Sequence, residues 1–255
     1  MVEPLPLVVA EEAGRRFGTG AAATDALRSA TCAIFPGERI ALIGPSGSGK
    51  STLLHLLGGL DTPSFGRVEW PALGPRDDLR PGKVADIFQG PSLLMPLSVV
   101  ENVRLPLILM GMEGPEATSR AETVLGLFGV AHLRHKLPEE ISGGQAQRVS
   151  IARALAVRPR LVLADEPTGQ LDSATAARAL DTLLQVLTDL GTAIVVSTHD
   201  PTVSGRFDAV WTMNDGVLAT IAAPGHQPTQ GTPDAQLGET RLPIPHDPIA
   251  VVIQQ

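Results

Sequence analysis

Four short apolar runs punctuate the chain, each with turn residues on both sides: Ile40–Ile43, Val84–Phe88, Leu161–Ala164 and Ala193–Ser197. None of them alternates with polar residues, which is the pattern of strands buried on both faces of a sheet. Helical patterns lie between them. Lys50–Leu57 ends at Gly58-Gly59, and Gln145–Val157 stops before Pro159. A third helix is capped by Asp172 or Ser173 and ends at Gly191. Its Ala176, Leu180, Leu183, Leu184, Leu187 and Leu190 share one face at helical spacing. Strand and helix in alternation predict an α/β fold around a largely parallel sheet.

Two regions break that rhythm. Residues 90–140 carry helical patterns and breaks but no strand pattern, which predicts a helical insert. Near the end, "AVWTMNDGVLATI" predicts a hairpin with Asn214-Asp215-Gly216 as its turn. From Ala223 onward the chain is rich in Pro, Gly, Gln and Thr, so 224–255 is expected to be a mostly disordered tail. No internal repeat is visible.

Composition narrows the function classes. Aromatics make up only 3% of the 255 residues and tyrosine is absent, so Leu, Val, Ile and Ala must build the core. The net charge of −7 argues against nucleic acid as the main partner, because phosphate backbones select basic surfaces. Cys32 is the single cysteine, which excludes an intrachain disulfide and a cysteine metal cluster. The N-terminal stretch lacks the basic leader of a secretion signal. The most apolar run, "VRLPLILMGM", is too short to span a membrane and is interrupted by Pro106. The expected location is the cytosol, with a membrane protein still open as a partner.

The chemistry begins at "GPSGSGKST": Gly44, Pro45, Ser46, Gly47, Ser48, Gly49, Lys50, Ser51 and Thr52. It fills every fixed position of G-x-x-x-x-G-K-[ST], follows a strand and opens a helix. Its glycines let backbone N–H groups turn around phosphates, and the helix adds its positive end. Lys50 would supply charge to the β- and γ-phosphates, and the Ser51 hydroxyl a ligand to Mg²⁺. The strand "LVLADEP" ends in two acids. At the carboxyl end of a parallel strand, Asp165 would face the Mg²⁺ shell, and Glu166 would orient and polarise the attacking water. His199, after "AIVVST", and Gln89, after "ADIF", stand at two more strand ends; either is a phosphate, water or metal contact, or an ordinary loop residue. A second anion-binding pattern, "ISGGQ" at 141–145, precedes another helix.

Taken in order, Phe17, "GPSGSGKST", Gln89, "ISGGQ", "LVLADE", "LD" at 171–172 and His199 resemble the ATPase subunit of ATP-binding cassette (ABC) systems over about residues 5–222. The combination of "SGGQ" and "QRVSIARAL" is specific to that class. The resemblance implies a P-loop NTPase fold with a mostly parallel core sheet, an N-terminal antiparallel β part and a helical subdomain. It implies an ATPase domain over 1–223, with the helical part at about 90–158. It also implies Mg²⁺-dependent ATP hydrolysis in a homodimer. Two copies pack head to tail, and Ser142, Gly143, Gly144 and Gln145 of one reach the ATP held by Lys50 of the other. By the same resemblance, Asp172 would join the nucleotide contacts from the D-loop, and Glu166, His199 and Gln89 would carry the hydrolysis, with Ser51, Gln89 and Asp165 as the expected metal set.

"LADEPTGQLDSATA" and "ENVRLPLILMG" are similar to one subgroup, the ATPases of macrolide-export, lipoprotein-release and cell-division complexes. That likeness implies an integral membrane permease with a large extracytoplasmic domain and a peripheral place on the inner face of the cell membrane. Leu93, Leu94, Met95 and Leu97 would grip the permease or pack in the core. A soluble or regulatory ABC ATPase uncoupled from translocation is the rival reading. Three departures stand out: Phe17 replaces the usual Tyr on adenine and could instead be core, Gln170 replaces the usual Asn in "GQLD", and the stretch 66–83 looks short for a nucleotide-side hairpin.

Overall fold

The protein is described here as a computed structural model covering residues 4–221. The expected tail at 224–255 lies outside the described residues.

Among the described residues, nine strands form one sheet. They are β1 (Val8–Phe17), β2 (Thr24–Ile34), β3 (Arg39–Ile43), β4 (Phe65–Glu69), β5 (Val84–Ile87), β6 (Leu161–Asp165), β7 (Ala193–Thr198), β8 (Ala209–Asn214) and β9 (Val217–Ile221). Their order is β4-β1-β2-β9-β8-β3-β7-β6-β5. The run β8-β3-β7-β6-β5 is parallel throughout. At the other end β1 pairs antiparallel with both β2 and β4. The hairpin β8–β9 joins the halves, with β9 meeting β2 through Ser29 and Val217.

The apolar strands are buried on both faces, as their unbroken hydrophobicity requires. In β6, Leu161 and Leu163 face α1 (Lys50–Leu57), whereas Val162 and Ala164 join the cluster beneath the other helices. β7 divides the same way, with Val195 on one side and Ile194 and Val196 on the other. The second face is covered by α2 (Val99–Leu109), α3 (Gly114–Leu127), α4 (Gly143–Ala156) and α5 (Ser173–Leu190). No strand occurs between β5 and β6. In α5, Leu180, Leu183, Leu184 and Leu187 are buried, while Ala176 and Leu190 at the ends of the stripe are half-buried. Asp172 caps this helix through the Thr175 N–H at 3.0 Å, and Gly191 closes it in the left-handed conformation.

Some boundaries move for local reasons. The helix expected to begin at Gln145 begins at Gly143. Ser142 and Gln145 form a reciprocal capping box that satisfies two end N–H groups and pulls the glycines into the first turn. The hairpin turn is two residues, not three. Asp215 and Gly216 both take positive φ, the geometry that matches strand twist, so Asn214 stays in β8. The helix α2 runs through Pro106 and is not broken there. Among the described residues no helix is long and apolar enough to cross a membrane.

Candidate functional site

Four of the parallel strands end on one edge of the sheet, and each delivers a piece of the site. After β3, the loop 44–49 turns into α1 and forms a cleft of about 320 Å³. The cleft is lined by Ser46, Gly47, Gly49, Lys50, Ser51 and Thr52, together with Ala26, Gln89, Asp165 and Glu166. Two glycines are needed for steric reasons. A Cβ on Gly49 would stand 2.4 Å from the Ala26 carbonyl oxygen, and one on Gly44 would stand 2.2 Å from the Met213 carbonyl oxygen. The hairpin turn seats the loop from behind, because the Gly216 N–H donates to the Ser48 carbonyl at 3.1 Å.

Lys50 is buried, and its ammonium donates to the carbonyls of Gly44 (2.9 Å) and Pro45 (3.0 Å). One of its three N–H bonds is left for an anion in the cleft. The Ser51 Oγ donates to Asp165 Oδ2 at 2.5 Å. Ser197 Oγ donates to the other oxygen, Oδ1, and accepts from the Glu166 N–H at 3.1 Å. Glu166 adopts a left-handed backbone (φ 45°), an uncommon conformation for a side-chain-bearing residue. Its carboxylate is approached from both sides. Gln89 Nε2 donates to Oε2 at 3.2 Å, and His199 Nδ1 lies 3.1 Å from Oε1. With Nδ1 as the donor to that oxygen, Nε2 of the neutral ring is an acceptor for a water O–H, and only the doubly protonated ring would donate from Nε2 to a phosphate oxygen.

The cleft fits a nucleoside triphosphate with a hard cation. Ser51 and Asp165 place two oxygens together at the mouth of the P-loop, the donor type Mg²⁺ prefers. Within the loop, the buried Ser48 Oγ meets no hydrogen-bond partner among the described residues.

The other expected residues stand apart from the cleft lining. Phe17 ends β1 and is 45% exposed, which rules out the core reading; the Arg15 guanidinium lies 4.7 Å from its ring centroid. Ser142 and Gly143 are exposed. A Cβ on Gly144 would meet Leu171 Cδ2 at 3.1 Å, so the "ISGGQ" stretch, the family's signature, borders the D-loop at 171–172 of its own chain. The Gln145 side-chain Oε1 accepts from the Ser142 N–H at 2.8 Å. Asp172 is committed to its cap, and the Thr175 backbone N–H holds its carboxyl below the usual range. Leu94 and Met95 are exposed, Leu97 is half-buried, and Leu93 is half-buried against the core.

Two participants escaped the sequence reading. Ser197 holds both Asp165 and Glu166, and its signal was available: it lies in β7, two residues before His199. Gln147 is wholly buried behind the site; it opens the class-specific "QRVSIARAL", but nothing in that stretch assigns it a partner or a role.

Residues 27–169 match the family model described as "ABC transporter". The chain is 41% identical over 220 residues to the lipoprotein-releasing system ATP-binding protein LolD of Legionella pneumophila (strain Paris), covering 83% of this chain and 96% of that protein. It is 44% identical over 216 residues to the LolD protein of Pseudomonas fluorescens, covering 82% and 95%. Among solved structures it is similar to the dimeric post-hydrolysis state of the ATP-binding cassette MJ0796 bound to ADP and Pi. The TM-score there is 0.79 at 35% identity, covering 86% of this chain and all of that one. It is also similar to cbiO1 from Clostridium perfringens, part of the ABC transporter complex cbiONQ, with a TM-score of 0.70 at 30% identity over 84% and 87% of the two chains.

Proposed function

We propose, from the premise that this chain belongs to the ABC transporter family, that it drives a membrane complex by closing head to tail on a second copy of itself around ATP. The chain is the ATP-binding, ATP-hydrolysing subunit of an ABC complex. The observation that carries the dimer reading is the division of the site. The P-loop, Asp165, Glu166 and Gln89 line one cleft, while Ser142, Gly143 and Gly144 lie outside that lining, beside the D-loop. A signature at that place completes a nucleotide site only on a partner, and the symmetric exchange gives two sites per dimer.

Within each site the backbone of 44–49 and Lys50 would bind the β- and γ-phosphates, with Phe17 under the adenine. Ser51, Asp165 and Gln89 are the residues that would hold Mg²⁺, which when bound offsets charge on the phosphate oxygens. Glu166 orients a water on the γ-phosphate side and takes up its proton at the carboxylate. Gln89 and His199 fix the two carboxylate oxygens so that this happens in one geometry. Cleavage of the γ-phosphate removes an anion held from both chains, which frees the dimer to open.

A groove of about 380 Å³ runs between the sheet and the helices, lined by Phe88, Leu105, Pro106, Leu109, Arg80 and Arg153. This groove, with Leu94 and Met95 beside it in the chain, supports docking of an integral membrane permease. The likeness to the lipoprotein-releasing relatives favours a permease with a large extracytoplasmic domain, and a place for this subunit on the cytoplasmic face of the membrane. It disfavours the soluble alternative. The test is Glu166→Gln. It should bind ATP, hydrolyse it slowly, elute as a stable dimer with ATP and Mg²⁺, and retain a permease from solubilised membranes. A strictly monomeric elution would sink the dimer reading, and a trapped dimer that brings down no membrane protein would sink the permease reading.

A further inference from the structure

The signature helix α4 carries a second device one turn inside its exposed tip. Gln147 has no exposed surface. Its Nε2 donates to two carbonyls from separate loops: Phe88 O at 3.2 Å and Pro167 O at 3.0 Å. Both hydrogens of one amide are thereby used, and the presence of two acceptors fixes which end of the amide is nitrogen. The choice of carbonyls is specific. Phe88 O belongs to the peptide unit that leads into Gln89, and Pro167 directly follows Glu166. Because a peptide unit is planar, holding its carbonyl also orients the following N–H and Cα.

Gln147 therefore grips both loops whose side chains meet at the Glu166 carboxylate. Glu166 itself sits in left-handed backbone, which persists only when its surroundings over-determine it. Ser197 Oγ accepts from the Glu166 N–H, and Gln147 holds the carbonyl of the next residue, Pro167. The grip is not an obvious gain for stability alone, since Gln147 Oε1 is buried and meets no donor among the described residues.

We infer that Gln147 is a positioning residue that links the signature's contact with the partner-held ATP to the alignment of Gln89 and Glu166 over this chain's own ATP. The inference rests on the head-to-tail reading above. Ser142 and Gly143 open α4, so any shift of that helix on engaging the partner's nucleotide moves Gln147 with it. The two carbonyls follow the amide, and the two ATP sites are joined through one side chain per protomer.

Gln147→Met keeps the length and removes both donors. In the full chain, without nucleotide, hydrogen exchange should speed up in residues 88–91 and 166–169 and remain unchanged in the rest of the sheet. With saturating ATP and Mg²⁺, kcat should fall about tenfold or more while the affinity for ATP stays within threefold of the parent. Two ATP sites completed in one dimer predict a sigmoidal dependence of hydrolysis on ATP for the parent, and Gln147→Met should flatten it. Gln147→Asn retains an amide but reaches one carbonyl at most, and it should fall between the two; it also serves as the variant if Met prevents folding. Unchanged exchange at both loops, or an unchanged kcat with unchanged sigmoidicity, would overturn the inference. So would a uniform loss of stability, ATP affinity and kcat, which is what mere packing gives. The same substitution placed on Glu166→Gln separates the two readings. Failure of Glu166→Gln itself to dimerise refutes the head-to-tail reading, whereas dimerisation with unaltered loops refutes the role of Gln147.

Discussion

Replacing Arg80 by Met keeps a long apolar stem and removes the charge that faces Asp86. Arg80 Nε donates to Asp86 Oδ2 at 2.9 Å, Nη2 reaches the same oxygen, and Nη1 donates to the Gly58 carbonyl at the end of α1. The Asp86 side chain is 11% exposed and that of Arg80 is 32% exposed. The pair ties β5, which leads to Gln89, to the helix that the P-loop opens. Breaking a buried pair by deleting one partner typically costs about 3–5 kcal/mol, and the partial exposure of Arg80 puts this case near the lower end, ~3 kcal/mol. For a chain of this size that is roughly 6–12 °C in Tm.

The pH dependence of the loss has a definite sign. Burial, the largest influence, pushes the Asp86 carboxyl above the usual range, and Arg80 and then His55 oppose it. Without Arg80 the folded carboxyl rises further. A carboxyl whose folded pKa exceeds its unfolded one makes the folded chain bind its proton more tightly. The penalty is then fully present above the folded pKa and is relieved as pH falls through it. Arg80→Met should therefore lose most at pH 8 and progressively less on acidification, with the lost Gly58 bond as a remainder throughout. Urea unfolding at pH 8 and at successively lower pH, with Arg80→Met/Asp86→Asn alongside, measures this; the double variant should regain at least half of the loss at pH 8. Parent-like stability of Arg80→Met at pH 8, or a loss that grows on acidification, would refute the reasoning.

His199→Ala leaves the P-loop intact and removes the group on Glu166 Oε1, so kcat should drop on the order of 100-fold with nucleotide affinity nearly unchanged in an equilibrium binding assay. A comparable loss of affinity would move His199 from chemistry to binding. Phe17→Ala should weaken ATP binding about tenfold through lost stacking, with no change in Tm because the ring is exposed, and Phe17→Tyr should restore the affinity. A fall in Tm without a fall in affinity would return Phe17 to a packing role.

The cleft was legible in the sequence because it is assembled from strand ends. Gly44 follows β3, Gln89 stands two residues beyond β5, Asp165 ends β6 with Glu166 just after it, and His199 follows β7. Each strand was visible as an apolar run, and parallel pairing of β3-β7-β6-β5 carries all four ends to one edge. Knowing the strands is then enough to know which side chains meet. The antiparallel part was less legible. The ladder between β1 and β2 shifts register three times, and such bulges erase the alternation that would have marked its inward face.

What stayed hidden are contacts whose partners have no common local pattern. Gln147 is 59 residues from Phe88 and 20 from Pro167. Its acceptors are backbone carbonyls, which every residue carries, so no residue type at any spacing could signal the bond. Arg80 and Asp86 are close in sequence, yet their pairing depends on the turn of chain between them packing under α1. The side chains that meet substrate are named by chemistry, since few residue types can do each task. The groups that align them are chosen by position alone, and those become readable only when the strands have brought their loops together. That asymmetry places the next experiments behind the cleft, at Gln147 and Arg80, where a substitution leaves every phosphate contact in place and alters only how the contacts are held.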